Sequence, residues 1–322
     1  MKGFKMHYSL PWLGISTGVS EAKTAAEAIE LAGLDWKVNL KPLYTAGTNM
    51  VDGIPVIGTK AKNRLGVVRD TDNEVLGVVK GKYEPIQNRE CFGFFDGLVE
   101  EGVAKYKNAG QLEGGSRIYV IAEMDNDIVI RDNEKIRKYL FLQSSHDGTS
   151  SVKVQMGAFR LVCSNGLTVE IPGTVSTVRI QHSKQYRIGF TEARRILGLS
   201  EHYYNALDRV INDLANRSFC KDDMNTFVKN LFPDKINEEG VARLPKRTAS
   251  IREEVQDLFV SGIESHGNSA WDAFNAVTEY VDHKRRSNVR KNTDVPEGET
   301  AFKSTVFGSG ALIKQRAFDL LI

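Results

Sequence analysis

The spacing of apolar positions changes along the chain. Up to about residue 190 the dominant period is two. "DWKVNLKPL" sets Trp36, Val38 and Leu40 on alternate positions, the mark of a strand with one buried face. "RLGVVRDTDNEVLGVVKGKYEPIQN" places two β-rich runs around the polar "DTDN", and "SRIYVIAEMDNDIVIRD" repeats the pattern around "DND"; each predicts a hairpin. Two helices interrupt this half. One is "SEAKTAAEAIELAGL", with Ser20 as N-cap and Gly33 as stop; the other is "NRECFGFFDGLVEEG", whose Cys91, Phe92, Phe95, Leu98 and Val99 share a helical face. Beyond residue 190 the period becomes helical. Ile196, Leu197, Tyr204, Leu207, Val210, Ile211 and Leu214 form one stripe, and "DDMNTFVKNLFP" adds a short helix ended by Pro233. Ser250 and Glu253 read as a capping box opening a helix carried by Ile251, Val255, Leu258, Phe259 and Ile263. "SAWDAFNAVTEYVDH" buries Trp271, Phe274, Val277 and Val281; a polar loop follows from Asn288 to Thr300, and apolar structure then resumes. The expected class is α+β. A strand-rich core of antiparallel hairpins with packed helices (1–190) precedes a helical half (191–322) with a basic helix end and an apolar C-terminal segment.

"QSSHDGTSSVKVQMGAFRLVCSNGL" sets Ser145, His146 and Asp147 side by side, the residue types of a hydrolytic triad. Neighbouring side chains on an extended strand point to opposite faces, so the three do not form a relay. Asp147-Gly148 is a favoured turn pair, and "KYLFLQS" and "SVKVQMGAFRLVC" read as the strands it joins. In the second strand Val152, Val154 and Met156 occupy even positions while Phe159, Leu161 and Cys163 occupy odd ones. A β-bulge at Gly157 would absorb the switch and bring Lys153 and Gln155 onto the face of Arg160. The alternative is two strands meeting at a bend, with both cations simply solvated.

Charge matters through its distribution. The whole chain nets +2, yet Ile136 to Arg195 holds nine basic residues against three acidic ones. Within it, "STVRIQHSKQYRIGF" reads as a strand alternating His182, Lys184 and Tyr186, with Arg179 and Arg187 nearby. Cations that neutralise phosphates, interleaved with rings that accept a stacked base, suit a nucleic-acid strand; a charged edge strand is the plainer reading. A second basic cluster, Lys284, Arg285, Arg286, Arg290 and Lys291, exceeds what a helix C-terminus needs. Glu279 and His283 have the spacing of two metal ligands but no third, and the acidic "EMDND" reads first as a turn. The GxxxxGK[ST], GxGxxG and HExxH patterns are missing, which disfavours an ATP-driven enzyme. No bound cofactor or metal is expected. Three scattered cysteines, Cys91, Cys163 and Cys220, read as buried thiols, and no apolar run has a spanning helix's length, so a cytoplasmic protein without a membrane partner is expected.

"SHDG" followed by "RLVCSNGL" resembles the signature of an uncharacterised phage- and plasmid-borne family, domain of unknown function 932. "WDAFNAVTEYVDHKRR", "FGSGALIKQRAF" and "LGVVKGKYEPIQN" are similar to its phage/plasmid-like subgroup, with Gly166 in place of the usual threonine. The resemblance implies a mobile-element setting, in which single-stranded DNA is repeatedly generated. The leading expectation is ATP-independent single-stranded-DNA binding, with strand annealing by a homo-oligomer as the finer form. Lys153, Arg160, Arg179, Lys184, Arg187, Lys284, Arg285, Arg286 and Arg290 would contact phosphates, and His182 and Tyr186 would stack on bases. A non-catalytic host-interaction or anti-defence protein is the alternative; a metal-dependent nuclease is the third.

Overall fold

Alternation in the central strands serves two cores rather than one. In a computed structural model, residues 10–51, 53–131, 134–161, 164–198, 200–236, 240, 242–285 and 297–322 are described. The strands are β1 (Thr17–Gly18), β2 (Val38–Val51), β3 (Ile54–Arg69), β4 (Val75–Val79), β5 (Ala104–Leu112), β6 (Arg117–Met124), β7 (Ile128–Ile130), β8 (Glu134–Ser145), β9 (Val152–Arg160), β10 (Gly166–Leu167), β11 (Thr177–Ile180), β12 (Lys235–Ile236) and β13 (Ala242–Arg243). The helices are α1 (Ala25–Leu31), α2 (Asn88–Phe92), α3 (Asp96–Glu100), α4 (Tyr186–Leu197), α5 (Ser200–Asn216), α6 (Lys221–Leu231), α7 (Lys246–Ser261), α8 (Ala270–Glu279), α9 (Glu297–Phe302) and α10 (Ser309–Asp319). Single π-helical turns follow α8 (Tyr280–Lys284) and α9 (Lys303–Phe307). The class is α+β.

The main antiparallel sheet runs β1-β5-β6-β8-β9-β10, with β7 also on β8 and β11 also on β9; β2, β3 and β4 make a smaller sheet. On one face of the main sheet Ile118, Val120, Leu140, Leu142, Val152, Val154, Met156 and Ala158 join a cluster that includes Leu207, Ile211, Trp271, Phe274 and Phe318. Residues 1–190 and 191–322 therefore share this core. On the other face Tyr119, Ile121, Tyr139, Phe141 and Phe159 surround Trp12, closed by Phe302 and Val306.

That double burial explains the parity change in β9. No bulge lies at Gly157: β8 and β9 stay in continuous register, with Tyr139 opposite Gly157 and Gln143 opposite Lys153. Even positions feed the larger core and odd positions the smaller, so Lys153 and Gln155 share a face with Phe159, and Arg160 is on the opposite one. A β-carbon at Gly157 would press on Thr168 and Phe141, which explains the glycine without a bend.

Other local expectations shift as well. Thr24, not Ser20, caps α1 by accepting from the Glu27 amide. The "NRECFGFFDGLVEEG" helix breaks into α2 and α3 around Gly93. "DND" is not a hairpin turn: β6 and β7 both pair with β8, and the run between them is an irregularity on one edge. The strand expected through Tyr186 ends at Ile180, and Tyr186 opens α4. α4 ends at Leu197 and α5 begins at Ser200, and the Ile196 and Leu197 side chains lie outside the described residues. Ser250 lies inside α7, where its hydroxyl donates to the Lys246 carbonyl, so it caps nothing. Glu297 begins a helix where a loop was expected. Cys220 is exposed at the start of α6, Cys91 is buried, and Cys163 lies outside the described residues.

Candidate functional site

Two places on the β8–β9 hairpin gather polar chemistry. The first is its turn. Ser145, His146 and Asp147 do not form a relay. The Ser145 hydroxyl and the Thr149 amide and hydroxyl all donate to Asp147 Oδ1, while Arg117 pairs with Oδ2 at 3.2 Å. His146 is fully buried and turns the other way, against the Trp36 ring, with Nε2 2.8 Å from Asn88 Oδ1. Asn88 uses its amide NH₂ to donate to the Leu34 carbonyl, so its Oδ1 accepts and His146 Nε2 carries the proton. Burial, reinforced by nearby His182, pushes the His146 pKa down to about 3. Its neutral form is therefore a packing element. The turn is roofed by the small sheet: a β-carbon on Gly77 would sit 2.4 Å from the Asp147 Cα. Gly148 holds φ 73°, a conformation glycine adopts without strain.

The second place is one strand further on. Arg179 of β11 lies directly opposite Lys153 of β9, in a row that continues through Gln143 to Tyr119. Like charges in that register repel. Neither cation has a carboxylate partner among the described residues; the Lys153 ammonium instead lies 5.4 Å from the Phe307 ring centroid. Burial and the Arg179 charge push the Lys153 pKa down to about 8, against an opposing pull from Glu170. Beside Arg179 opens a pocket of about 460 Å³, lined by Glu170, Thr174, Ser176, Thr177, Gln315 and Asp319 among others. An anion between Lys153 and Arg179 would relieve their repulsion, and the neighbouring hydroxyl, amide and carboxylate groups can donate to and accept from a polar ligand.

The remaining sequence candidates are dispersed. Arg160 is 1% exposed; its guanidinium pairs with Glu134 and donates to the Ile263 and Glu264 carbonyls, so it ties the sheet to the α7–α8 connection and meets no surface. It lies roughly 23 Å along the strand from Lys153, on the other face. His182 stacks on Tyr83 with centroids 4.7 Å apart, and burial pushes its pKa down to about 4. Tyr186 donates to Glu90 at 2.6 Å, and Arg187 approaches the same carboxylate at 3.4 Å. Neither ring is a free stacking platform. Lys184 is exposed in the turn before α4. Lys284 is exposed, Arg285 donates to the Ser309 hydroxyl, and Arg286 and Arg290 lie outside the described residues. Glu279 accepts from the Ile263 amide and His283 faces Asn165, so the two serve separate partners; no group of three metal-ligating side chains occurs among the described residues. In "EMDND", Glu123 and Asp127 both grip Arg137.

The family model described as "Domain of unknown function (DUF932)" matches residues 75–304. The chain belongs to this family. No curated protein and no solved structure matches it. The family span contains the His146 turn, Lys153 and Arg179, but not the β2–β3 hairpin. Within the span, and just beyond it, three of the motif stretches meet. Asp282 of the first π-helical turn accepts from the Gly166 amide at 2.8 Å and pairs with Lys314 of α10 at 2.9 Å, while His283 contacts Asn165 at 3.0 Å. Lys314 and Asp282 are both buried, so this cluster fastens the family's central turn to the C-terminal helix.

Sequence reading missed two features. Phe307 comes under Lys153 from 154 residues away, with no local signal. The cations Lys60, Lys62 and Arg64 of β3 did leave one, the alternation in "KAKNR".

Proposed function

We propose that the protein binds single-stranded nucleic acid, DNA in its mobile-element setting, through phosphate contacts centred on Lys153 and Arg179 and without nucleotide hydrolysis. The Lys153–Arg179 juxtaposition carries this reading: two facing cations, one of them half-buried, have no carboxylate ion-paired to either among the described residues, Glu170 acting on Lys153 only at a distance, and a phosphate is the ligand that offsets their repulsion. The adjoining pocket supplies polar groups for a sugar or base edge. Contacts made to phosphates leave base edges available, which is what strand annealing needs.

The test is fluorescence anisotropy with a labelled oligonucleotide across salt. Affinity should fall as salt rises, and Lys153→Glu with Arg179→Glu should weaken binding at least about tenfold and flatten the salt slope. Affinity should also fall as pH rises through about 8, where free Lys153 loses its proton, and Lys153→Arg should remove that dependence. No binding at low salt, or binding indifferent to salt and to the double substitution, would sink the reading.

A further inference from the structure

The small sheet carries an arm. β4 pairs with β3 only over Leu65–Val68, whereas β2 and β3 stay paired out to Val51 and Ile54. Beyond Leu65 the hairpin has no neighbouring strand among the described residues, a free length of roughly 30 Å at about 3.3 Å per residue. Near its end Met50, Val51, Ile54, Val56 and Ile57 are 42% to 75% exposed. Val51 faces Ile54 and Ala46 faces Ile57 across the strands, so both faces of the tip are apolar. Behind the tip stand Lys41, Lys60, Lys62 and Arg64, all exposed and without a carboxylate partner among the described residues. Tyr44, half exposed, is directly opposite Lys60.

We propose that this hairpin is a nucleic-acid arm: its cationic stem follows the phosphates, and its apolar tip enters between neighbouring bases of the bound strand. The proposal rests on the nucleic-acid reading above and adds a second contact. Three features favour this occupant. A tip apolar on both faces fits a slot covered on both sides, as between two bases, while docking on a flat surface needs one apolar face. An aromatic ring beside a cation in one register is the pairing that holds a base and its phosphate. Position fits too, because the arm's root, Gly77 and Val79 of β4, packs on Asp147 and Gly148, the turn that leads directly into Lys153.

Two other occupants are less well served. Register shifts at three places along the distal hairpin break up its open edges, which discourages strand pairing with a second copy. The open edges of a two-stranded hairpin leave backbone N–H and C=O groups unpaired, and bilayer hydrocarbon does not accommodate them.

The experiment uses the full chain and an oligonucleotide containing 2-aminopurine, whose emission rises on unstacking, with anisotropy read on the same samples. Ile54→Ser with Ile57→Ser should abolish the emission rise and leave affinity within about threefold, because aliphatic insertion adds little beside phosphate contact. Met50→Ser with Val51→Ser, on the opposite strand, should do the same and guards against one variant misfolding. Lys60→Glu with Lys62→Glu should weaken binding about tenfold and reduce the salt slope by about 1.4, as for two lost single-strand phosphate contacts. Full emission in both tip variants, or unchanged affinity in the stem variant, overturns the arm; sensitivity to Lys153→Glu would still uphold the parent reading. No binding by the unaltered chain overturns both. Tip-dependent binding to phosphatidylglycerol vesicles, or a tip-dependent change in sedimentation without an emission change, assigns the tip to lipid or to a second copy and overturns the arm.

Discussion

His146 is the residue at which motif and chemistry part. Its sequence neighbours suggest catalysis, but its ring is sealed against Trp36 and Asn88, and its charged form is excluded. The consequence is a stability slope. The folded pKa, about 3, is below the unfolded value of 6.5, so between these limits the unfolded chain takes up a proton that the folded chain refuses. Stability contributed by neutral His146 is complete above pH 6.5 and declines as pH falls toward 3, at about 1.4 kcal/mol per pH unit where the difference is fully developed. His182, lowered to about 4, adds in the same direction. Denaturant melts at pH 7 and pH 5 should show a loss that is reduced in His146→Gln; an unreduced loss would place the acid sensitivity elsewhere. Lys153 presents the reverse economy, a charge retained at physiological pH although its surroundings oppose it.

Among the elements, the β8–β9 hairpin organises the site through what rests on its two ends. Its turn is covered by β4, and the closest approach is backbone to backbone at Gly77. Gly77→Ala should force β4 off the turn and cost on the order of 1 to 3 kcal/mol, read as a lower denaturant midpoint; an unchanged midpoint would show that the small sheet is not seated on the turn. The turn itself was legible, because Asp147-Gly148 lay between two alternating runs. The ends of its neighbours were not. "DND" carries the same residue types as a turn, but there the chain stays on the edge of β8, since Glu123 and Asp127 have Arg137 to hold. Likewise Tyr186 and Arg187 alternate acceptably for a strand, but they open α4, where both reach Glu90 of α2.

At the scale of the whole molecule, one sheet separates two cores, and buried charge fastens helices to it. Arg160 and Glu134 pair on the side of the larger core, with the Trp271 indole 3.3 Å from the same carboxylate. Arg160→Met should strand Glu134 and cost about 3 to 5 kcal/mol, while the double change with Glu134→Leu should recover most of it. Calorimetry and denaturant melts decide this, with nucleic-acid affinity largely unmoved in the double variant. A single Arg160 variant as stable as the parent would remove the pair from the account. No helix among the described residues is long and apolar enough to cross a membrane.

The sequence by itself determined the α+β class, the shift from period two to helical period near residue 190, the turn at Asp147-Gly148 and the family. These rest on local chemistry: alternation, helical stripes, and glycine's tolerance of positive φ. Tertiary structure alone decided which cations are available. Arg160 and Lys153 differ in position by an odd number of residues on one strand, so they occupy opposite faces; on one, the neighbouring strand β8 brings the Glu134 carboxylate and the α7–α8 connection brings two carbonyls, while on the other the described residues bring Phe307 and a second cation. Strand parity is written in the sequence, but what covers each face is set by segments more than a hundred residues away.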